Sequence, residues 1–267
     1  MSRIKMKSYR ISISERKGKP EKPIRIAVIS DLHNRRFGEG NNKLASAILG
    51  QYPDLIFCIG DMTVCKPGRE TKLEVGISLL KRLACECPVY CVNGNHEFRS
   101  KIYPETYPNI YSKWVNGLKR GGVILLEDDK TEIACKGTTL VLHGLELPIK
   151  YYKKRRADFM SAEEIRDHIG EPEEDRYNIL LAHNPDFFES YALWGADLTL
   201  SGHLHGGSVR LPFAGGVISP QLKLFPKYDY GLYEKYAHKM VVTSGLGTHS
   251  IAMRINNPPE VVILELY

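Results

Sequence analysis

No stretch of this chain is apolar enough to cross a membrane. Its longest hydrophobic runs are of the size of Leu55-Ile56-Phe57-Cys58-Ile59, where a spanning helix needs about 20 residues. The basic N-terminus is not followed by the apolar segment of a secretory signal. A cytoplasmic location is therefore expected, with peripheral contact to a membrane surface as the variant of that expectation. Six cysteines are present, and Cys85-Glu-Cys87 lacks the two-residue gap of a zinc knuckle. Cys58 and Cys91 sit inside apolar runs, so the cysteines read as reduced thiols. Several hydrolytic signatures are also missing. There is no GxSxG elbow and no phosphate-binding P-loop, and His96-Glu97-Phe98-Arg99-Ser100 lacks the second histidine of HExxH. No internal repeat, low-complexity tract or linker divides the chain.

What remains is an ordinary globular composition, 43% hydrophobic and 25% charged over 267 residues. That is enough chain for one substantial core. The net charge of +6 is unevenly placed. Nine Lys or Arg against two Glu give residues 1–25 a net of +7, which leaves the remainder near −1. Residues 1–23 therefore read as a basic arm, with Tyr9, Ile11 and Ile13 alternating as an edge strand would. Such an arm is either solvated or in contact with an anionic surface.

From residue 24 to 267 a single domain is expected. Short, continuously apolar strands (Ile24–Ser30, Asp54–Gly60, Val89–Val92) alternate with helices (Asn42–Gln51, Thr71–Glu86, Asn109–Arg120), the pattern of a parallel sheet covered on both faces. Another strand follows at Val123–Glu127. Thr131–Cys135 and Thr139–Leu145 form a candidate hairpin across Lys136-Gly137. The charged stretch Lys150–Arg176, with a helix from Ser161 to Ile169, reads as an insertion over one edge of the core. Short strands return at Asn178–Ala182, Leu198–Ser201, Ser208–Leu211, Met240–Thr243 and Val261–Leu266.

Potential metal ligands recur where these apolar runs end: Asp31-Leu-His33, Gly60-Asp61, Gly94-Asn95-His96-Glu97, His183, and Gly202-His203-Leu-His205-Gly206-Gly207. Carboxylates and an amide oxygen suit hard cations and imidazoles suit borderline ones, so the set is a recipe for divalent metals. Residues i and i+2 of an extended strand share a face. Asp31 and His33 therefore converge if the strand persists through Leu32, and His203 and His205 can use the same geometry. Asp61 is placed to bridge two cations. Gly94 permits the turn that aims Asn95. His143, His168, His238 and His249 read as structural.

Together these five blocks, in this order, resemble the calcineurin-like metallophosphoesterases, dinuclear-metal phosphoester hydrolases. The likeness runs from about Ile24 to Tyr267. Finer features resemble a bacterial branch of small phosphoesterases: Ser201-Gly-His-Leu-His-Gly-Gly207, Ala182-His-Asn-Pro185, and Ser244-Gly-Leu-Gly247 followed by Arg254-Ile-Asn and Pro259-Glu260. The resemblance implies a four-layer α/β/β/α sandwich with two mixed β-sheets. It implies one metal on Asp31, His33, Asp61 and His205, and a second on Asp61, Asn95, His183 and His203, with Asp61 shared. Mn²⁺, Fe, Zn²⁺ and Mg²⁺ all suit such ligands. A hydroxide bridging the metals would attack phosphorus, and His96 would contact the phosphate and protonate the leaving oxygen. Glu97 would orient His96 or shape its loop.

The scissile bond is left open among phosphodiester, phosphomonoester and pyrophosphate. Two other readings stand beside it: a nuclease whose basic arm grips a backbone, and a non-catalytic metal-binding module on the same fold. The substrate would be a small phosphoester or a lipid-linked one. Candidate recognition loops are Arg35–Asn42, Arg99–Tyr111, Tyr151–Arg156 and Phe213–Tyr233.

Overall fold

A computed structural model describes residues 3–153, 158–207, 210–211, 215–216, 226–248 and 254–267. The chain runs β1 (Lys5–Ile11), β2 (Ile24–Ile29), α1 (Asn42–Leu49), β3 (Leu55–Cys58), α2 (Leu73–Ala84), β4 (Val89–Val92), α3 (Asn95–Ile102), α4 (Ile110–Arg120) and β5 (Ile124–Leu126). Then come β6 (Asp129–Cys135), β7 (Thr138–Leu145), α5 (Ala162–Ile169), β8 (Tyr177–Ala182), α6 (Phe188–Trp194) and β9 (Leu198–Ser201). The last elements are β10 (Arg210–Leu211), β11 (Gly215–Gly216), β12 (Gly231–Lys235), β13 (His238–Val242) and β14 (Glu260–Leu266).

Two six-stranded sheets carry the fold, in the orders β1-β14-β2-β3-β4-β5 and β12-β13-β9-β8-β7-β6. β2, β3, β4 and β5 are mutually parallel, as are β7, β8, β9 and β13. Their facing sides form one apolar core, with Val28, Phe57 and Val92 from the first sheet against Leu142, Leu181 and Leu200 from the second. The outer face of the first sheet is closed by α1, α2 and α4, where Leu44, Leu80, Leu83 and Trp114 pack on Ile29, Ile56 and Cys91. The outer face of the second is closed by α5 and α6 through Ile165, Ile169, Tyr191 and Trp194. The result is the expected α/β/β/α sandwich of two mixed sheets. The β6–β7 hairpin is antiparallel as expected. All six cysteines are free thiols, with Cys58 and Cys91 buried.

One expectation needs correction. The stretch Lys150–Arg176 is not an edge insertion. Ser161 caps α5 by accepting the Glu164 N–H, and Ile165 and Ile169, one turn apart, drive α5 onto the second sheet as part of its outer layer. The basic N-terminus carries the edge strand expected of it. β1 pairs in parallel with β14, Lys5 opposite Glu260 through Ile11 opposite Leu266. Ile11 and Ile13 are 1% and 3% exposed. The alternation of Tyr9, Ile11 and Ile13 thus marks a true edge strand, along which Lys5 pairs with Glu260 and Arg10 with Glu265. The sequence also concealed α3, α6 and β12. α3 is mostly polar because its buried side, Asn95, His96, Glu97 and Ser100, faces the site described next. Tyr151-Tyr-Lys-Lys-Arg-Arg156 and Phe213–Tyr233 lie partly outside the described residues, as does the start of the Ser208–Leu211 strand, and His249 lies wholly outside.

Candidate metal centre

The carboxyl ends of the parallel strands of both sheets point to one side of the molecule, and the loops that leave them meet there. From the first sheet come Ser30–His33, Ile59–Thr63 and Asn93–Asn95. From the second come His183 and Gly202–Gly207. The loops interlock closely. A Cβ on Gly60, which has φ +79°, would lie 2.2 Å from the Gly94 nitrogen. One on Gly202 would lie 2.5 Å from Asp31 Oδ2. Only glycine lets these backbones approach.

All the histidine and aspartate ligands expected from the sequence gather here. The ligating atoms of Asp31, His33 and His205 lie within 4.8 Å of one another, and so do those of Asp61, His183 and His203. His33 Nε2 and His205 Nε2 are 3.1 Å apart. Asp61 Oδ2 is 3.3 Å from His183 Nε2 and 3.7 Å from His33 Nε2, which places Asp61 between the two groups. Asn95 opens α3 beside it, since the N–H of the next residue, His96, donates to Asp61 Oδ1 at 2.9 Å. His96 Nδ1 or Nε2 also lies within 4.8 Å of ligating atoms of His33 and Asp61.

The route to this convergence differs from the extended strand expected. β2 stops at Ile29, and Asp31 and His33 have φ of 54° and 47°. Asp61, His203 and His205 are likewise left-handed, at 53°, 66° and 53°. Side chains two residues apart converge because the loops coil tightly, not because a pleat persists. Non-glycine residues adopt this region at a cost of order 1–3 kcal/mol each, and such strain concentrates at functional sites.

Each carboxylate spends one oxygen on the fold and turns the other inward. Asp31 Oδ2 accepts the His203 N–H at 3.2 Å and the Ser30 hydroxyl, while its Oδ1 makes no hydrogen bond. Asp61 Oδ1 takes the His96 N–H, while its Oδ2 makes none. Asn95 Oδ1 and His183 Nε2 are buried in the same condition. His183 Nδ1–H donates to the Ile59 carbonyl, which fixes the tautomer so that Nε2 offers its lone pair. Among the described residues neither carboxylate is paired with a lysine or arginine. Burial alone would raise both aspartates, yet the surrounding histidines hold them well below the ordinary carboxylate range. Burial opposes protonation of His183, but Asp61 and Asp31 outweigh it and push the imidazole up to about 10. Two buried anions drawing protons onto their neighbours make a site that lacks positive charge, and divalent cations fit that donor set.

Several residues that support the site were not singled out by the sequence, or only weakly. Glu97 shapes the loops: its carboxylate accepts the N–H of Asp61, Gly94 and Thr63 at 2.9, 3.0 and 3.0 Å, and it does not orient the His96 ring. Burial first, and then the Asp61 charge, raises it to about 7. The His96 ring is set by the Cys65 peptide, with Nδ1 3.0 Å from the Cys65 nitrogen and 3.1 Å from its carbonyl oxygen. Asn257 Nδ2 donates to the carbonyls of His205 and Gly207, pinning that loop. Tyr152 packs edge-on against His203, ring centroids 4.9 Å apart. Tyr152 lies in the Tyr151–Arg156 loop singled out from the sequence, whereas no sequence signal marks Asn257, because an isolated polar residue in a loop carries no period.

Comparison with known proteins agrees with this site. The family model for calcineurin-like phosphoesterases matches residues 24–207, from β2 through the last histidine loop. The uncharacterized protein YpbG of Bacillus subtilis is 26% identical over 98% of this chain and 87% of its own length. The phosphodiesterase YaeI of Escherichia coli is 28% identical over 91% of this chain and 82% of its own. The uncharacterized metallophosphoesterase YkuE of B. subtilis is 27% identical over 80% and 68%. A family match spanning every loop that supplies a buried donor leaves one assignment: the chain belongs to the calcineurin-like phosphoesterases and is a metal-dependent phosphoester hydrolase.

Proposed function

We propose that the protein hydrolyses phosphodiesters with two divalent cations, one held by Asp31, His33, Asp61 and His205 and the other by Asp61, Asn95, His183 and His203. The observation that carries this reading is the pair of inward carboxylate oxygens, Asp31 Oδ1 and Asp61 Oδ2, buried without a hydrogen bond among imidazoles. The position of Asp61 between the two groups supports its sharing. The name of the E. coli relative, a phosphodiesterase, supports the choice of bond. When bound, the cations would supply Lewis acidity, lowering the pKa of water and neutralising phosphoryl charge.

The chain's own residues do the rest. Asp31 and Asp61 are aimed by backbone N–H groups, so their geometry is set before any ligand arrives. His183 is held in one tautomer by Ile59. His96 is the proton donor to the leaving oxygen. As an imidazolium it gives Nδ1–H to the Cys65 carbonyl and presents Nε2–H to the substrate. After transfer the same Cys65 contact holds the neutral ring. A donor placed this way contributes on the order of 10²–10⁴ in rate.

Turnover of bis(4-nitrophenyl) phosphate and 4-nitrophenyl phosphate, measured after loading with Mn²⁺, Fe²⁺, Zn²⁺ or Mg²⁺ and paired with elemental analysis, tests the reading. Two equivalents of metal and a preference for the diester are expected. One equivalent at full activity would overturn the two-cation arrangement, and a preference for the monoester would overturn the choice of bond.

A further inference from the structure

One cavity opens beside the metal centre and a second adjoins it at Arg35. The first, about 660 Å³, has His33 in its wall together with Arg35, Arg254 and Pro259. The second, about 400 Å³, is built differently. Its apolar surface comes from Ile4, Phe37 and Ala47. Around these stand Arg3, Arg35, Arg36 and Lys43, and among the described residues none that is acidic lines it. Arg35 belongs to the walls of both cavities, so the two adjoin across this one side chain.

This second cavity is a built feature of the fold. Arg35 is anchored across the site by donating to the Leu246 carbonyl at 3.1 Å, and its guanidinium lies 4.9 Å from the centre of the Phe37 ring. The loop after Phe37 is closed by two bonds: Phe37 N–H to Asn41 Oδ1 at 2.8 Å, and Lys43 N–H to the Phe37 carbonyl at 3.1 Å. The N-terminal segment supplies the remaining wall. Because β1 runs parallel to β14 and Lys5 donates to the Pro259 carbonyl, the residues just before β1 are delivered to the end of the sheet where the metal loops lie.

We propose that this groove receives the apolar chain of an anionic, amphiphilic phosphoester whose phosphate reaches the metal centre. The proposal rests on the phosphoester reading above and adds a substrate class to it. The chemistry is complementary at both levels. The cationic rim attracts the acidic head of such a molecule, and the Ile4, Phe37 and Ala47 surface removes its chain from water. A short hydrophilic phosphoester would leave that apolar surface wet. The basic N-terminal segment is thereby part of the substrate site.

The test is binding of two non-hydrolysable probes to the full-length, metal-loaded protein by isothermal titration calorimetry: methylphosphonate, and dodecylphosphonate below its micelle concentration. Burial gains about fourfold in affinity per methylene, so a chain that buries three of them binds roughly sixtyfold tighter. Ala47→Glu and Ile4→Glu each place a carboxylate on the apolar surface, away from the rim cations that meet the head. Each should cut the preference for the long chain at least about tenfold, while methylphosphonate binding and turnover of bis(4-nitrophenyl) phosphate stay unchanged. Equal affinity for both probes in the parent protein would overturn the proposal. So would a long-chain preference that survives in both variants, because that is nonspecific detergent binding. The binding readout does not depend on catalysis. Loss of the groove with intact turnover therefore differs from loss of turnover with an intact chain-length effect, which would sink the phosphoester reading.

Discussion

Replacing His96 with alanine separates two roles that position alone permits. A His96 ring nitrogen lies within 4.8 Å of donor atoms of His33 and Asp61, so distance admits ligation. The Cys65 carbonyl, 3.1 Å from Nδ1, instead suits a ring that keeps its proton on Nδ1 while Nε2 gives one up. If His96 is the acid, His96→Ala keeps both metals and loses about 10²–10⁴ in kcat/KM on a dialkyl phosphate, whose alkoxide needs a proton. That corresponds to about 3–5.5 kcal/mol of barrier. On a nitrophenyl diester the leaving group departs without a proton. The residual loss there, from weaker stabilisation of phosphoryl charge, should be no more than about a hundredfold. The substitution also deprives the buried Cys65 carbonyl of the Nδ1–H, which costs about 1–3 kcal/mol of stability, so the rates must be read well below the variant's melting temperature. Elemental analysis accompanies the kinetics on both substrates. A missing metal equivalent would make His96 a ligand, and equal losses on the two substrates would refute proton donation.

Asp61→Ala should lower metal content further than alanine at any other single ligand, since the two donor groups share this residue; normal occupancy of both metals in that variant would refute the sharing. Glu97→Ala should leave the N–H groups of Asp61, Gly94 and Thr63 without acceptors and cost about 3 kcal/mol or more, read as a lowered urea midpoint; a change under about 1 kcal/mol would show that water replaces the carboxylate. In chelator-stripped protein His183 has a folded pKa of about 10 against 6.5, because its carboxylate neighbours outweigh burial. The stability it confers is complete below pH 6.5 and is lost as pH rises through about 10. The melting temperature of stripped protein should therefore fall more between pH 7 and 10 than that of His183→Gln, and parallel falls would refute the assignment.

Much of this site was legible because its chemistry is carried by residue type at strand ends. Asp31, His33, Asp61, Asn95, His183, His203 and His205 were all named from the sequence, and each lies where the sheets' loops meet. The strands around them were legible too, since β2, β3, β4 and β8 are uninterrupted apolar runs. What could not be read was conformation. Nothing in Asp31-Leu-His33 announces left-handed dihedrals, which are imposed by packing against the loops at Gly60 and Gly245–Gly247. α3 was hidden for a related reason. Its inward residues are Asn95, His96 and Glu97, so the usual apolar stripe is replaced by the site itself. In the basic first 25 residues the legible signal was the alternation of Tyr9, Ile11 and Ile13: two buried isoleucines anchor the edge strand despite the surrounding positive charge.

The parallel pairing of β1 with β14 has a practical consequence for anyone handling this protein. The strand enters the sheet beside Glu260 and leaves it beside Leu266, a run of roughly 20 Å, so the two ends of the chain emerge at opposite poles. A purification tag or fluorescent fusion ahead of Met1 would hang over the opening that Arg3 and Ile4 border. The same tag behind Tyr267 would project from the far pole. Given the proposed groove, C-terminal fusions are the safer design for assays with bulky or greasy substrates.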